Sequence, residues 1–431
     1  MGASSKKMNE KESTKITDVR ARQIFDSRGN PTISCKVTLQ GGAQGVASVP
    51  SGASTGKYEA VEKRDGERAY GGKGVFSAVY GINGKIAEHL RGMDACHQRQ
   101  IDRTLLDLDG SENKEILGAN ATLAVSLACA KAAANALHLP LYRYFGGVNA
   151  CRLPLPFLNL LNGGKHADNG LDVQEYMIVP LSATSFVGAM RVASEVYHAL
   201  GEVLKRDGQH TSLGDEGGYA PLLQTDEQAL DYLMRAIAEA GYQAGKDVGI
   251  ALDVAASEWQ KDGRYLLQKS GREMDAPALA DHYRALIGRY PIVSLEDPFG
   301  EEDFDAFASF TAEMGKKIQI VGDDLFVTNE KRVKQGIRRG CCNCVLIKPN
   351  QVGTVSETLD TVALARAHGY RVMLSHRSGE TEDHTIADLA VALGAGQIKT
   401  GAPARGERTA KYNRLLEIED ELEPHALYGL L

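Results

Sequence analysis

The chain lacks a surplus of basic residues and long apolar runs, and each shortage excludes a class of function. It has 49 lysines and arginines against 56 aspartates and glutamates, which gives a net charge of -7. A nucleic-acid-binding face normally needs the opposite imbalance. No segment reaches the roughly 18 consecutive apolar residues of a membrane span. We therefore expect neither a nucleic acid nor a membrane as a partner.

Cysteine is also scarce, with seven in 431 residues. An odd number in a long chain predicts a reducing, cytoplasmic compartment rather than a disulfide framework. Cys341 and Cys344 form one C-x-x-C, but no second pair or nearby histidine completes a zinc spacing, which favours small buried thiols beside a strand. Residues 1–16 are polar and lack the apolar core of a secretory signal, and we interpret them as a disordered tail.

The chain length and a pair of closely spaced prolines predict two domains. A chain of this size is too long for one ordinary core, and the closely spaced Pro154 and Pro156 mark a boundary. Residues 17–148 combine an alternating strand pattern, a glycine-rich turn and an alanine-rich helix that ends at Pro140, which is typical of a smaller α+β domain. Residues 153–427 form the second domain.

A recurrent pattern in this second domain predicts an α/β fold, a (β/α)8-type barrel. Short apolar runs each end in one ionisable residue, at a spacing near the roughly 30 residues of a strand-plus-helix unit. These residues are Asp253, Glu296, Asp323, Lys348, His376 and Lys399. A parallel barrel gathers the carboxyl ends of its strands at one mouth, where barrel active sites lie. We therefore expect the six side chains to converge.

Two kinds of charge meet in this set. The three carboxylates, without cysteine or histidine among them, suit a hard cation such as Mg²⁺. Lys348, His376 and Lys399, with Arg377 adjacent, form a cationic half that fits a substrate with a phosphate and a carboxylate. A lysine near divalent cations has a lowered pKa and can act as a general base. The metals can then stabilise an enolate next to a carboxylate.

Motifs along the chain resemble those of the enolase family, in family order from about residue 18 to 418. They include "DSRGNPT" (26–32), "VPSGASTGKYEA" (49–60), "LNGGKHADN" (160–169), "QEYMIVP" (174–180), "LGDEGGYAP" (213–221), "SLEDPF" (294–299), "GDDLFVTN" (322–329), "LIKPNQVGT" (346–354), "LSHRSGETED" (374–383) and "GQIKTGAPARGER" (396–408). The resemblance implies a lyase that reversibly dehydrates 2-phospho-D-glycerate to phosphoenolpyruvate in glycolysis and gluconeogenesis. It also implies a homodimer or an assembly of dimers.

The resemblance further implies two Mg²⁺ ions per active site, the second arriving with substrate. Asp253, Glu296 and Asp323 resemble the ligands of the first ion, and Ser54 in the "SGAST" loop resembles a ligand of the second. Asp297 and Asp324 adjoin these ligands, and we expect them to hydrogen-bond to the ligands rather than to bind metal.

Proton-transfer and binding roles follow from the same resemblance. Lys348 is similar to the base that removes the C2 proton, and Glu216 to the acid that assists loss of the C3 hydroxyl, with Glu175 supporting Glu216. We expect Lys348 and Glu216 on different barrel strands, and the glycines around Glu216 to carry it into the mouth. His166 is the fourth catalytic residue implied, on a loop from which it would approach the leaving group or the phosphate. The substrate-binding residues implied are Gln174, His376, Arg377, Ser378 and Lys399. Lys165 departs from the small residue usual before the loop histidine.

Three other interpretations remain open at this point. A P-loop nucleotide binder is suggested by "SGASTGKY", but only three residues separate Gly52 from Gly56, and Tyr58 follows Lys57 where Ser or Thr is needed. Another metal-dependent barrel lyase or racemase would share the three carboxylates but need not carry the "SGAST" or "GDEGG" segments. A non-catalytic binding protein on the same scaffold is disfavoured because no catalytic candidate is missing.

Overall fold

The computed structural model describes residues 13–53 and 56–429. Ser54 and most of the predicted tail therefore lie outside the described residues. Within those ranges no single helix is long and apolar enough to cross a membrane. One pair, Ala119–Ala136 with Leu141–Asn149, bent by 94°, meets the criteria of length and composition only when its two helices are taken together.

The N-terminal part is an antiparallel sheet covered by helices. Strands β1 (Ile16–Phe25), β2 (Pro31–Leu39) and β3 (Gln44–Ser48) pair in chain order. The helices are α1 (Phe76–Gly81), α2 (Ala87–Leu90), α3 (Gln98–Asp109), α4 (Ala119–Ala136) and α5 (Leu141–Gly146). The alternation of β1 and β3 turns one face of the sheet inward, and the alanine-rich α4 packs on β2 and β3 in one apolar cluster. The predicted α+β domain is confirmed.

The C-terminal part contains the remaining strands and helices. Its strands are β4 (Arg152–Leu153), β5 (Leu155–Asn162), β6 (Glu175–Pro180), β7 (Val248–Asp253), β8 (Gln260–Lys261), β9 (Arg264–Leu267), β10 (Arg272–Met274), β11 (Ile292–Glu296), β12 (Gln319–Gly322), β13 (Cys344–Ile347), β14 (Arg371–Ser375), β15 (Gly396–Lys399) and β16 (Leu427–Tyr428). Its helices are α6 (Phe186–Arg206), α7 (Asp226–Glu239), α8 (Ala276–Arg289), α9 (Phe304–Met314), α10 (Glu330–Arg339), α11 (Val355–Ala367), α12 (Thr385–Ala392) and α13 (Gly406–Leu422).

Eight of these strands close into a barrel in the order β11-β12-β13-β14-β15-β5-β6-β7. The predicted fold class is confirmed, but the expectation of a wholly parallel barrel is wrong. Strand β6 runs antiparallel to both β5 and β7. Because β6 is reversed, its first residue, Glu175, pairs in register with Asp253, the last residue of β7. The reversal therefore adds Glu175 to the mouth formed by the carboxyl ends of the other strands.

Apolar side chains fill the interior of the barrel away from that mouth. The inner cluster comprises Leu155, Phe157, Met177, Val179, Ala251, Val321, Cys344, Leu346 and Met373. Cys344 is thus a buried packing residue, and Cys341 and Cys342 are buried as well, as the sequence predicts. Burial also raises the pKa of the Cys341 thiol to about 11. The C-x-x-C is therefore part of the core, and polar groups concentrate at the mouth.

Candidate active site

A cavity of about 400 Å³, counted with its opening to solvent, occupies the mouth of the barrel. Most of the predicted site residues line it: His166, Gln174, Glu175, Glu216, Asp253, Asp323, Lys348, His376, Arg377, Ser378 and Lys399. Glu296 lies against this group, with its carboxylate 2.8 Å from the Lys399 ammonium. Every predicted site residue that the structure describes is therefore at one place. The predicted Ser54 lies outside the described residues.

The strand ends account for this convergence. Asp253, Glu296 and Lys399 are the last residues of β7, β11 and β15. Asp323, Lys348 and His376 each follow directly after their strands. Glu216 is different, because it lies in the loop between α6 and α7. The expectation that Glu216 sits on a barrel strand is therefore wrong.

Glycines let the loop bring Glu216 so close to the barrel. Gly217 has a φ of +85°, and a Cβ built there would lie 2.6 Å from the backbone oxygen of Ala404. A Cβ on Gly214 would lie 1.9 Å from the side-chain nitrogen of Asn162. Such positions exclude other residues because of backbone conformation and space. The close approach of the backbone at these glycines therefore holds Glu216 buried at the mouth and not in a solvated turn.

Three buried carboxylates lie on adjacent strands of the mouth. The Cα atoms of Asp253 and Glu296 are partners in the β7–β11 register, and Asp323 follows β12, the next strand. An all-oxygen set of this kind suits a hard divalent cation. The residues present therefore fit a metal cofactor.

Lysines neutralise these carboxylates in the structure. The Lys399 ammonium lies 2.8 Å from both Asp253 and Glu296 and 3.3 Å from Glu175. Burial alone lowers the pKa of Lys399, but these neighbouring charges raise it well above its ordinary value. Lys348 contacts Asp323 in the same way. Burial acts to lower the pKa of Lys348, but neighbouring carboxylates, Asp323 foremost and Glu296 as well, raise it overall.

Two other sets of three side chains are more tightly clustered than the predicted ligand trio. Within residues 13–53 and 56–429, the ligand atoms of Asp297, Asp323 and Asp324 lie within 4.8 Å of one another, as do those of His166, Glu175 and Glu216. Asp297 accepts hydrogen bonds from the backbone nitrogens of Asp323 (3.0 Å) and Asp324 (2.7 Å). It thereby orients the segment that carries Asp323.

The opposite side of the mouth contains two acids and two histidines. Nδ1 of His166 lies 3.7 Å from Glu175 and 3.8 Å from Glu216, and Nε2 of His376 lies 3.3 Å from Glu216. Burial and the charge of Glu216 raise the pKa of Glu175 well above its ordinary value. Burial also acts to raise the pKa of Glu216, but His376 and His166 lower it overall. The two acids therefore favour different protonation states, a pattern typical of acid–base sites.

Arg377 and Ser378 connect the mouth to the N-terminal domain. Both terminal nitrogens of Arg377 donate to the Glu59 carboxylate, at 2.8 and 3.2 Å. The backbone nitrogen of Ala53 donates to the Ser378 hydroxyl at 2.7 Å. The chain on either side of position 54 is thereby tied to the segment after β14.

Lys165, which precedes His166, is half exposed and pairs with Glu258 at 2.6 Å. The pair links the loop of His166 to the segment after β7. Gln174 contributes from the end of the same loop, since its side-chain nitrogen lies 3.4 Å from Asp253.

Sequence reasoning missed several residues that support the site. Asn159 donates to Glu216 at 3.1 Å, Gln351 donates to Asp323 at 2.9 Å, and Arg408 lies 2.7 Å from His376. Glu59, Gln351 and Arg408 lie in the motifs "VPSGASTGKYEA", "LIKPNQVGT" and "GQIKTGAPARGER" that carry the family resemblance. Asn159 could have been found as the polar residue inside the apolar run "LPFLNLLN".

Comparison with known proteins agrees with this geometry. Residues 16–145 match the family model described as the enolase N-terminal domain, and residues 150–429 match that described as the enolase C-terminal TIM barrel domain. A curated protein named enolase, from Acidothermus cellulolyticus (strain ATCC 43068 / DSM 8971 / 11B), is 55% identical over 414 residues, which cover 96% of each chain. Both domains and nearly the whole length are matched, and the chain belongs to the enolase family.

Proposed function

We propose separate roles for the residues at the mouth of the barrel in the reaction of this lyase. The reaction is the dehydration of 2-phospho-D-glycerate to phosphoenolpyruvate. The reaction removes a proton from C2 and a hydroxyl from C3, so that a C2–C3 double bond forms and water leaves. It therefore needs a base and an acid on one substrate. The observation that supports the proposal is that one cavity contains both Lys348 and Glu216.

Lys348 is the proposed acceptor of the C2 proton. Its ammonium must first lose a proton and leave Asp323, since that ion pair keeps the lysine charged. Binding of a cation by Asp323 would remove this partner and favour the neutral amine.

Glu216 is the proposed donor to the departing C3 hydroxyl, which leaves as water. Glu175, whose pKa is raised by burial and by Glu216, is the neighbouring store of that proton. The unpartnered Oε2 of Glu175 and Nδ1 of His166 leave polar atoms available for a proton transfer between the acids.

The cofactor in this proposal is Mg²⁺, two ions per active site. Asp253, Glu296 and Asp323 would hold the first, and Ser54 would contribute to the second, which arrives with substrate. The ions would supply positive charge that stabilises the enolate developing at the substrate carboxylate.

Binding groups surround this centre. Arg377 and Ser378 would hold the phosphate, and Arg377 would exchange its Glu59 partner for it. Lys399 would bind the substrate carboxylate, while Gln174, His166 and His376 would line the pocket. The proposal also includes a homodimer or an assembly of dimers in the cytoplasm, as the family resemblance implies.

The direct test is the ultraviolet absorbance of the enol product after 2-phosphoglycerate is added, with Mg²⁺ and with chelator. We expect an Mg²⁺-dependent increase that chelator abolishes and added Mg²⁺ restores. An unchanged rate in excess chelator would contradict the metal assignment, and no absorbance change under either condition would contradict the reaction.

A further inference from the structure

Arg408 is the largest side chain that is fully buried in the described structure, and it lies behind the active site. It belongs to the first turn of α13, and its guanidinium contacts two segments that carry site residues. Nη1 donates to the backbone oxygen of Arg377 at 2.6 Å. Nη2 donates to the backbone oxygens of Ser378 and, at 3.0 Å, Asp215. One guanidinium thus connects the segment after β14 to the loop that carries Glu216.

The same guanidinium determines which nitrogen of His376 carries the proton. Nη1 of Arg408 lies 2.7 Å from Nδ1 of His376. An arginine side chain has only donors, so Nδ1 must accept. A neutral imidazole that accepts at Nδ1 carries its proton on Nε2. Burial, with a contribution from Arg408, keeps the ring neutral by lowering the pKa of His376 to about 4.

The Nε2–H of His376 faces one oxygen of Glu216. Nε2 lies 3.3 Å from Oε2, a separation that can tighten when substrate binds. The same Oε2 accepts a hydrogen bond from Asn159 at 3.1 Å. Oε2 therefore accepts one hydrogen bond, from Asn159, and Nε2 of His376 lies 3.3 Å from it without completing a second. Oε1 faces Nδ1 of His166 at 3.8 Å. A proton on Oε2 would oppose both of these N–H groups, whereas Oε1 is open to one.

We propose that Arg408 is a positioning residue for the proton donor. By fixing the Nε2–H tautomer of His376 it anchors Oε2 of Glu216, so that the proton given to the leaving hydroxyl resides on Oε1. The inference rests on the proposed acid role of Glu216 and assigns that role to a single atom. Loss of Arg408 would let the His376 ring present a bare nitrogen to Glu216 and remove one of the two anchors.

The first test is the tautomer of His376, read from two-bond ¹H–¹⁵N correlations in the ¹⁵N-labelled full-length protein. The signals are assigned by their loss in His376→Gln. We expect the unaltered protein to have the Nε2–H tautomer at neutral pH and Arg408→Met to lose that single tautomer. A Nδ1–H tautomer or a doubly protonated ring in the unaltered protein would overturn the proposal.

The second test separates positioning from simple destabilisation. In Arg408→Met we expect kcat for dehydration to fall about 10²-fold or more, the lower end of general-acid contributions, while exchange of the C2 proton with deuterium persists. Arg408→Lys keeps one cationic donor and should restore the tautomer and part of kcat. Equal losses of dehydration and exchange with the tautomer unaltered would make the role structural only and overturn the proposal.

Arg414→Met is the matched control. Arg414 lies on the same helix and pairs with Asp388, Glu417 and Glu421, away from the mouth. We expect it to cost stability but to leave both the tautomer and the ratio of dehydration to exchange unchanged. If Arg408→Met does not fold, Arg408→Lys and the spectrum of the unaltered protein still decide. The spectrum can be recorded without turnover, so the tautomer tests the role of Arg408 even in an inactive protein. Absence of activity in the unaltered protein would contradict the proposed function and not the role of Arg408.

Discussion

Replacement of Gly217 by alanine tests whether the loop of Glu216 depends on close backbone approach. The structure predicts two separate costs. The φ of +85° places an L side chain in the left-handed region, at about 1–2 kcal/mol. The new Cβ would also lie 2.6 Å from the Ala404 backbone oxygen, and overpacking of this kind typically adds about 1–3 kcal/mol. We therefore expect Gly217→Ala to lower the free energy of unfolding by about 2–5 kcal/mol.

Gly208 supplies the matched control. Its φ is +74°, but no atom lies within 4 Å of the position of its Cβ. Gly208→Ala should therefore show the conformational cost alone, about 1–2 kcal/mol.

Denaturant unfolding and the dehydration rate measure both variants. Because a displacement of about 1 Å can cost about 10²-fold in rate, Gly217→Ala should also lose about that factor in kcat, whereas Gly208→Ala should keep its activity. Equal stability losses and unimpaired activity in both variants would refute the argument from close approach.

Three further outcomes follow from the structure. Each predicted ligand can be replaced by its amide, in Asp253→Asn, Glu296→Gln and Asp323→Asn. Each variant should need a higher Mg²⁺ concentration for half-maximal activity, and an unchanged requirement would contradict the ligand assignment. Burial alone would raise the pKa of Asp383, but the Lys131 ammonium 2.7 Å away holds it below its ordinary value. The stabilisation from this ion pair is therefore present above about pH 4 and is lost as the pH falls further. The stability difference between the unaltered protein and Asp383→Asn should shrink in acid, and a constant difference would contradict this expectation. Light scattering should give a dimer or a multiple of it, and a monomer at working concentration would contradict the expected assembly.

The strand-end residues were predictable because a buried parallel strand has a simple sequence pattern. Each apolar run must stop where the chain reaches the mouth, so the ionisable residue that follows is placed by the fold itself. Asp253, Lys348 and Lys399 were located in this way without any knowledge of tertiary contacts.

Strand direction and loop placement were not predictable from the same pattern. The apolar run of β6 has the same appearance whichever way it lies, and only pairing in three dimensions shows that Glu175 begins the strand at the mouth. The sequence around Glu216 does not show whether this residue ends a barrel strand or lies in a loop between two helices. Its actual position depends on the close contacts of Gly214 and Gly217 with distant residues.

Supporting residues were missed because their partners are far away in sequence. Arg408 and His376 are 32 residues apart, and Asn159 and Glu216 are 57 apart. Nothing local distinguishes a buried arginine near a helix start from an exposed one. Ion pairs such as that of Lys399 with Asp253 are likewise set by the closed barrel, which brings β15 and β7 to one mouth.

The assignment of opposed proton-transfer roles to Lys348 and Glu216 is tested most directly by measuring dehydration and C2 deuterium exchange in the same two variants. Lys348→Ala should abolish both dehydration and exchange, because no base remains for the C2 proton. Glu216→Gln should lose dehydration by about 10²–10⁴-fold but still exchange the C2 proton. Exchange retained in Lys348→Ala and lost in Glu216→Gln would show that the base and the acid are reversed.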